Sequence, residues 1–385
     1  MMKNTKSVSK VAAVTLAFTV TLASVGLPGY GPLQASAAET VTNQKSTLTL
    51  EHQTYKQSGQ LYLPLREVAA YLDLQLTYDN ASKSLELTGV TQFAKFKVGS
   101  LKATGKNGVT VSLGAPVQQK QGVTYVPASL FAKLFGIPVT ATGTKDISYV
   151  YSSKYTLIQT DGMLFWLNRD KGVLYAGPSG QLPVRSGTVN IEYPDWLGMD
   201  AHKIDENTYV VNINNAYGEP HIFNTRYRVL LHNGTIVRQT GMSFGGPSYI
   251  NLEPDVLSYD GKILMNNGRT ANLVKQDGTV VETIDLEKIG GPDDVYSVEA
   301  MESDFLLIRP YSTGTLLLVD RESGETTPIY KSMLDQGIIE QIDNDEFGIG
   351  DGLKYIGRSG NQLKFSWKFA YSGAEPVTKV YVLPE

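Results

Sequence analysis

Three groups of residues have types and spacings that chemistry can use. Gly241-Met-Ser243-Phe-Gly245 is spelled like a nucleophile elbow, in which a strained strand-to-helix turn presents a serine to an acid and a histidine that follow it in the chain. Here His52, His202, His221 and His232 all precede Ser243, and no helical pattern comes after it, so the pentapeptide reads as a chance match in a chain with 37 glycines. Glycoside hydrolysis needs two carboxyl groups about 5–10 Å apart around a sugar. Asp195, Asp200, Glu253, Asp255, Asp293 and Asp294 are candidates for such a pair, and the order of residues alone does not say which of them converge. Asp343-Asn-Asp345-Glu346 with Asp351-Gly352 resembles a fragment of a calcium loop, but an EF-hand needs a ligand at its fifth position and Gly at its sixth. Phe347 and Gly348 stand there, and the segment reads as a solvated turn. The four histidines are scattered without a His-x-His pair and cysteine is absent, so no metal or other cofactor is expected.

Aromatic side chains are the remaining signal. Trp166, Trp196 and Trp367 fall in separate strand-rich segments, and Tyr193, Tyr217, Tyr249 and Phe244 fall in connecting stretches that also hold Gly and Pro. Loops gathered at one face of an all-β domain could assemble these rings into a platform for a sugar or a peptide. The competing reading is that each ring is packed in a core.

The elements that must position these residues have a repetitive pattern. From about residue 153 to residue 385, short runs of Val, Ile, Leu, Tyr and Phe alternate with Asp-Gly, Asn-Gly and Ser-Gly turns, as in consecutive hairpins, and helical periodicity is missing. Leu230-Leu-His-Asn-Gly234-Thr-Ile-Val237 lies 44 residues before Val274-Lys-Gln-Asp-Gly278-Thr-Val-Val281. Looser copies place turn glycines at Gly180, Gly324 and Gly360, so the spacings are 54, 44, 46 and 36 residues. Such periods, with about four strands each, predict a β-propeller of five or six blades; a sandwich or barrel is the alternative.

Residues 39–152 contain a different repeat. Gly59-Gln-Leu-Tyr62-Leu-Pro64-Leu-Arg-Glu-Val-Ala69 aligns without a gap on Gly122-Val-Thr-Tyr125-Val-Pro127-Ala-Ser-Leu-Phe-Ala132, 63 residues later. Each copy predicts a strand, a short helix and a hairpin, an α+β module built from two tandem units. Leu65, Val68, Ala69 and Leu72 recur at one helical face, and Ala128, Phe131, Ala132 and Phe135 are the corresponding face of the second copy. Gly136 is placed to end the second helix in a left-handed cap. Alternation returns in Leu74-Gln-Leu76-Thr-Tyr78, and Leu85-Glu-Leu87 completes a hairpin across Asp79-Asn-Ala-Ser-Lys83.

Pro64-Leu-Arg-Glu-Val-Ala-Ala-Tyr-Leu72, followed by a strand ending Tyr78-Asp79, resembles the copper amine oxidase N-terminal, or stalk, domain of secreted bacterial proteins. The resemblance spans about residues 45–150 and both copies. It implies a module displayed outside the cell and fused to other domains, without redox chemistry of its own. One departure is Asp73, where the family has Gly; the expected effect is a looser cap on the first helix.

Residues 1–38 read as a secretory signal peptide. Lys3, Lys6 and Lys10 precede the apolar run Val11 to Leu27, and Ala35-Ser-Ala37 supplies a small-residue cleavage site. No later segment is apolar for long enough to span a bilayer. Removing the leader takes three Lys away and leaves 31 basic against 38 acidic residues, a net charge of −7. No basic stripe speaks for nucleic acid. An exported chain without cysteine relies on ordinary cores instead of disulfides, which fits export from a Gram-positive cell.

Together these observations predict a secreted, non-catalytic protein of the envelope or extracellular space. The stalk module would attach or space, and the propeller would recognise cell-wall polysaccharide or a surface protein. The rival is an extracellular glycoside hydrolase using propeller carboxylates, and a third possibility is a structural part of a surface layer or spore coat.

Overall fold

The computed structural model describes residues 45–219, 222–246, 252–346, 348–370 and 373–384. The leader, His221, Phe347 and Tyr249 therefore lie outside the described residues.

In the N-terminal module the two repeat copies pair with each other. Strands Gln60–Pro64 and Val123–Pro127 run antiparallel, with Tyr62 opposite Pro127, Leu63 opposite Val126 and Pro64 opposite Tyr125. Residues 63 apart in sequence thus exchange places across a local two-fold axis. Tyr55–Gln57 and Gln118–Lys120 flank this pair on its two sides. The remaining strands form a five-stranded meander, Gln75–Asp79 through Thr110–Ser112, and a three-stranded sheet centred on Asp146–Tyr149.

The first helix is Leu65–Tyr71, and Leu65, Val68, Ala69 and Leu72 are buried as the pattern predicts. The second copy departs from its predicted face. Phe131–Phe135 is a wide π turn closed by the Gly136 N–H on the Phe131 carbonyl. The wider turn rotates the segment, so that Leu130 and Phe131 are buried while Ala132 is exposed. Gly136 has φ 70°, the left-handed cap expected of it.

Beyond Tyr155 come five consecutive antiparallel meanders. Four are four-stranded, covering Tyr155–Thr188, Trp196–Gly245, Ser258–Asp285 and Tyr296–Pro328; the fifth, Leu353–Val382, has three strands. Each sheet packs on the next through its own apolar layer. Phe165, Leu174, Val211 and Val229 join the first to the second, and Val210, Leu230, Ile263 and Met265 the second to the third. Leu264, Leu273, Val298 and Ile308 follow, then Phe305, Leu307, Leu363 and Phe365. Gly180, Gly234, Gly278 and Gly324 turn the third strand into the fourth in the first four sheets, whereas Gly360 joins the first two strands of the last. That shift of phase accounts for the short final spacing. The second half also holds a helix that strand-only periodicity missed, Gln336–Asp343, which buries Ile339 and Ile342. Among the described residues no helix is long and apolar enough to cross a membrane.

The two ends of the stack differ. The first sheet is tied to the N-terminal module through Asp73. This residue takes φ 55° at the end of the first helix, is only 4 % exposed, and accepts four hydrogen bonds on its carboxylate. The donors are Tyr151 Oη (2.8 Å), Ser153 Oγ (2.6 Å), Lys154 N (2.6 Å) and Tyr155 N (3.2 Å). Its carbonyl accepts from the indole N–H of Trp166 (3.2 Å). The residue expected to loosen a cap is instead the joint between the module and the sheets. At the other end, Ile356, Val380 and Val382 are 57, 46 and 54 % exposed on the outer face of the fifth sheet.

Candidate ligand-binding cleft

The second sheet has the longest strands, Trp196–Lys203, Thr208–Tyr217, Phe223–His232 and Thr235–Gly245. Side chains alternate between its faces. Val211, Ile213 and Val229 go to the first sheet. The opposite set forms cross-strand rows toward the third sheet: Asp200 beside Asn212 beside Arg228, Gly198 beside Asn214 beside Arg226, and Trp196 beside Ala216. Asp255 and Asn266 approach from the third sheet and the segment before it, and a cleft of about 190 Å³ lies between.

Polar contacts fix the walls. Arg228 is 8 % exposed; its Nε donates to Asn212 Oδ1 (3.0 Å), its Nη1 to the carbonyls of Val256 and Leu264 (both 2.9 Å), and its Nη2 to that of Asp255 (3.2 Å). These partners are neutral groups, and burial pushes the guanidinium down from its usual range, opposed by the charges of Asp255 and Asp200. Arg226 donates to the carbonyls of Leu252 (2.5 Å) and Glu253 (3.1 Å), and burial lowers it too. Asn212 passes the chain on to Asp200 (2.8 Å), which also meets His202 Nε2 (2.9 Å). Asp255 Oδ1 accepts from Asn266 Nδ2 (2.9 Å) and from Val298 N (2.7 Å). The Asn214 side chain is exposed, and a Cβ added at Gly198 would meet nothing within 4 Å. The cleft thus offers two cations, two carboxylates and carboxamides in close mixture, a surface that can both donate to and accept from hydroxyl groups.

Of the aromatic candidates, the structure puts three at one end of the second sheet, one on the cleft face and two on the other. Trp196 is 72 % exposed at the end of the cleft face. Tyr193, 74 % exposed, stacks on Tyr217 (5.9 Å between ring centres), which stacks on Phe223 at the same distance, all at that end of the sheet but on its other face. Tyr193 has φ 48°, and the buried Asn215 holds it there by donating to the carbonyls of Glu192 and Tyr193 (3.1 Å each). Trp166 and Trp367 do not join them. Trp166 is fully buried against Asp73, so it is a joint residue and cannot face a ligand. Trp367 donates to the Asp351 carbonyl in the fifth sheet, with the Lys379 ammonium over its ring.

The other candidates disperse. Ser243 lies within a strand, with its Oγ 2.8 Å from Thr225 Oγ1 and without the turn an elbow requires. Asp294 accepts from Ser312, and Glu253 pairs with Lys354 (2.6 Å). Only Asp200 and Asp255 among the six carboxylates line the same cleft. Asp343 ends a helix and accepts from Tyr330, and Asp351 is buried against Arg309 (2.8 Å). No group of three or more metal-ligating side chains occurs among the described residues. Arg226, Arg228, Asn212, Asn214 and Gly198 were not singled out by motif. Their signal was period-two polarity, Trp196-x-Gly198-x-Asp200, Asn212-x-Asn214 and Arg226-x-Arg228, within unusually long strands.

Residues 41–150 match the copper amine oxidase N-terminal domain family. No curated protein matches the chain. Among solved structures, a putative exported protein from Bacteroides fragilis NCTC 9343 is 10 % identical, covering 88 % of this chain and 96 % of that one, with a TM-score of 0.28. The Neurospora crassa Pan2 WD40 domain is 9 % identical over 76 % of this chain and 74 % of its own, with a TM-score of 0.24. A nidogen/laminin complex is 11 % identical over 74 and 92 %, also with a TM-score of 0.24.

Proposed function

We propose that the protein is exported and binds, without turnover, a glycan of the cell envelope in the cleft between its second and third sheets. The observation that carries this is the row Asp200–Asn212–Arg228 with the exposed Asn214 amide and the open space at Gly198, ending at the exposed Trp196. A pyranose presents hydroxyls that both donate and accept, and apolar C–H faces that lie on an aromatic ring. Balanced Arg and Asp charges suit such a neutral, hydroxyl-rich ligand better than a polyanion. In this reading the five sheets are propeller-like blades set in an open row, and the repeat module, held in fixed orientation by Asp73, caps the first of them and attaches or spaces the domain. Export rests on the basic start, apolar run and Ala35-Ser-Ala37.

One observation favours an enzyme, namely that Asp200 and Asp255 share the cleft. Both are engaged by hydrogen bonds, Asp255 to a backbone N–H and a buried amide, which suits holding better than proton transfer. Co-sedimentation of the mature protein with purified wall sacculi is the test, with reducing ends assayed in the supernatant. Retention that Asn214→Ala or Gly198→Phe abolishes supports the reading. No retention rejects it, and release of reducing ends that Asp255→Asn stops replaces it by the enzyme.

A further inference from the structure

The cleft has a direction, and that bears on what it holds. Trp196, Gly198, Asp200 and His202 occupy alternate positions of one strand and are all exposed. At about 3.3 Å per residue the strip from Trp196 to His202 is about 20 Å long, more than a single sugar ring covers. It is the edge strand of its sheet, so no further strand roofs it within that sheet. Aromatic, empty, acidic and imidazole positions follow one another along it, backed by Ala216, Asn214 and Asn212 on the next strand. Gly198 leaves the middle unobstructed, and any larger side chain there would stand between the Trp196 ring and the Asp200 carboxylate.

We propose that this strip binds an internal stretch of a linear, uncharged glycan, with one sugar stacked on Trp196 and the following sugars lying over Gly198 and against Asp200, Asn212 and Asn214. The inference rests on the glycan-binding reading above and adds to it the class of ligand, a polymer held along its length. A monosaccharide or a chain end would use the cleft beside Arg226 and Arg228 without reaching Trp196.

Chitin oligomers of increasing length, titrated against the mature protein by calorimetry, test this. Affinity is expected to rise at least tenfold from the monosaccharide to the longer oligomers and then to level off. Trp196→Ala should remove that gain, and circular dichroism and the denaturation midpoint of the variant, matching the parent, show that the loss is one of binding and not of folding. Trp196 is also the tryptophan most open to solvent, Trp166 being fully buried, so only the longer oligomers should shift the indole emission to the blue, and the variant should lose that shift. Equal affinity for short and long oligomers, or a length dependence that survives Trp196→Ala, overturns the strip and leaves cleft binding standing. Absence of binding to the oligomers together with absence of retention by sacculi overturns the underlying reading and the strip with it.

Discussion

Removing the Asp73 carboxylate should loosen the joint between the repeat module and the first sheet, and the cost can be worked from its partners. The group accepts four hydrogen bonds, from Tyr151, Ser153 and the backbone N–H groups of Lys154 and Tyr155. Bonds to a charged acceptor are worth about 1.5–3 kcal/mol each, but four that share one acceptor do not add. Two of the donors are backbone groups that lose their partner at a largely buried site, so Asp73→Gly should destabilise by about 3–4 kcal/mol. Glycine adopts φ 55° freely, so this variant loses the carboxylate and also sheds the strain that the Asp73 Cβ carries there, whereas alanine keeps the Cβ and isolates the carboxylate. Asp73→Ala should cost about 1 kcal/mol more, the penalty of a Cβ in the left-handed region. Urea denaturation measures both, and hydrogen exchange at Lys154 and Tyr155 should accelerate in either variant. A second readout is the Tyr151 phenol, which burial and then the Asp73 charge hold far above its ordinary value; absorbance titration should show it ionising at lower pH in Asp73→Gly. If Asp73→Gly unfolds within about 0.5 kcal/mol of the parent, the joint is not where we place it.

Three more outcomes are expected. Arg309 is buried between the carboxylates of Glu299 and Asp351, so Arg309→Leu should destabilise by about 3–5 kcal/mol; a loss below about 1 kcal/mol in chemical denaturation would contradict that account. A Cβ at Gly352 would lie 2.1 Å from the Lys368 carbonyl at φ 68°, whereas one at Gly360 meets nothing within 4 Å at φ 59°. Gly352→Ala should therefore lose about 2–3 kcal/mol and Gly360→Ala about 1 kcal/mol, an order that thermal melts can reverse. Asp304 is held below the usual carboxylate range by Arg358, Asp320 by the Ser323 N–H, and Asp343 by the Tyr330 hydroxyl. A carboxyl group depressed in the folded state stabilises above its unfolded value of about 4 and loses that contribution as the pH falls through its folded value. Glu299, raised by burial, acts in the opposite sense between its unfolded and folded values. The depressed groups outnumber it, so melting temperature should fall on acidification below about pH 4, and a maximum there would refute the assignment.

What was legible in the chain was local. The duplicated strand and helix, the left-handed Gly136 and the Asn233-Gly234 hairpin follow from backbone preferences and short spacings, and the structure has all of them. What was not legible depended on partners distant in sequence. Ala132 turned outward because a π turn, closed by Gly136, rotated its segment. Helix Gln336–Asp343 stands among sheets, and a stripe as short as Ile339 and Ile342 carries too little helical periodicity to be told from a strand. Asp73 looked like a flaw in a cap, since its donors lie 78–82 residues further on. Half of the cleft was visible in Trp196, Asp200 and Asp255; the arginines beside them carried no motif, only polarity at every second position of a long strand.

The unlike ends of the stack have a consequence for how it comes apart. Five sheets, each packed on its neighbours, behave as a short linear array in which an inner unit is held from two sides and a terminal unit from one. The first sheet escapes the terminal penalty because the repeat module caps it through Asp73 and Trp166. The fifth has three strands and a bare outer face. Opening should therefore run inward from the C-terminal end, so that fraying reaches the cleft only after two sheets have been lost, and the binding surface is kept in the more protected half of the array.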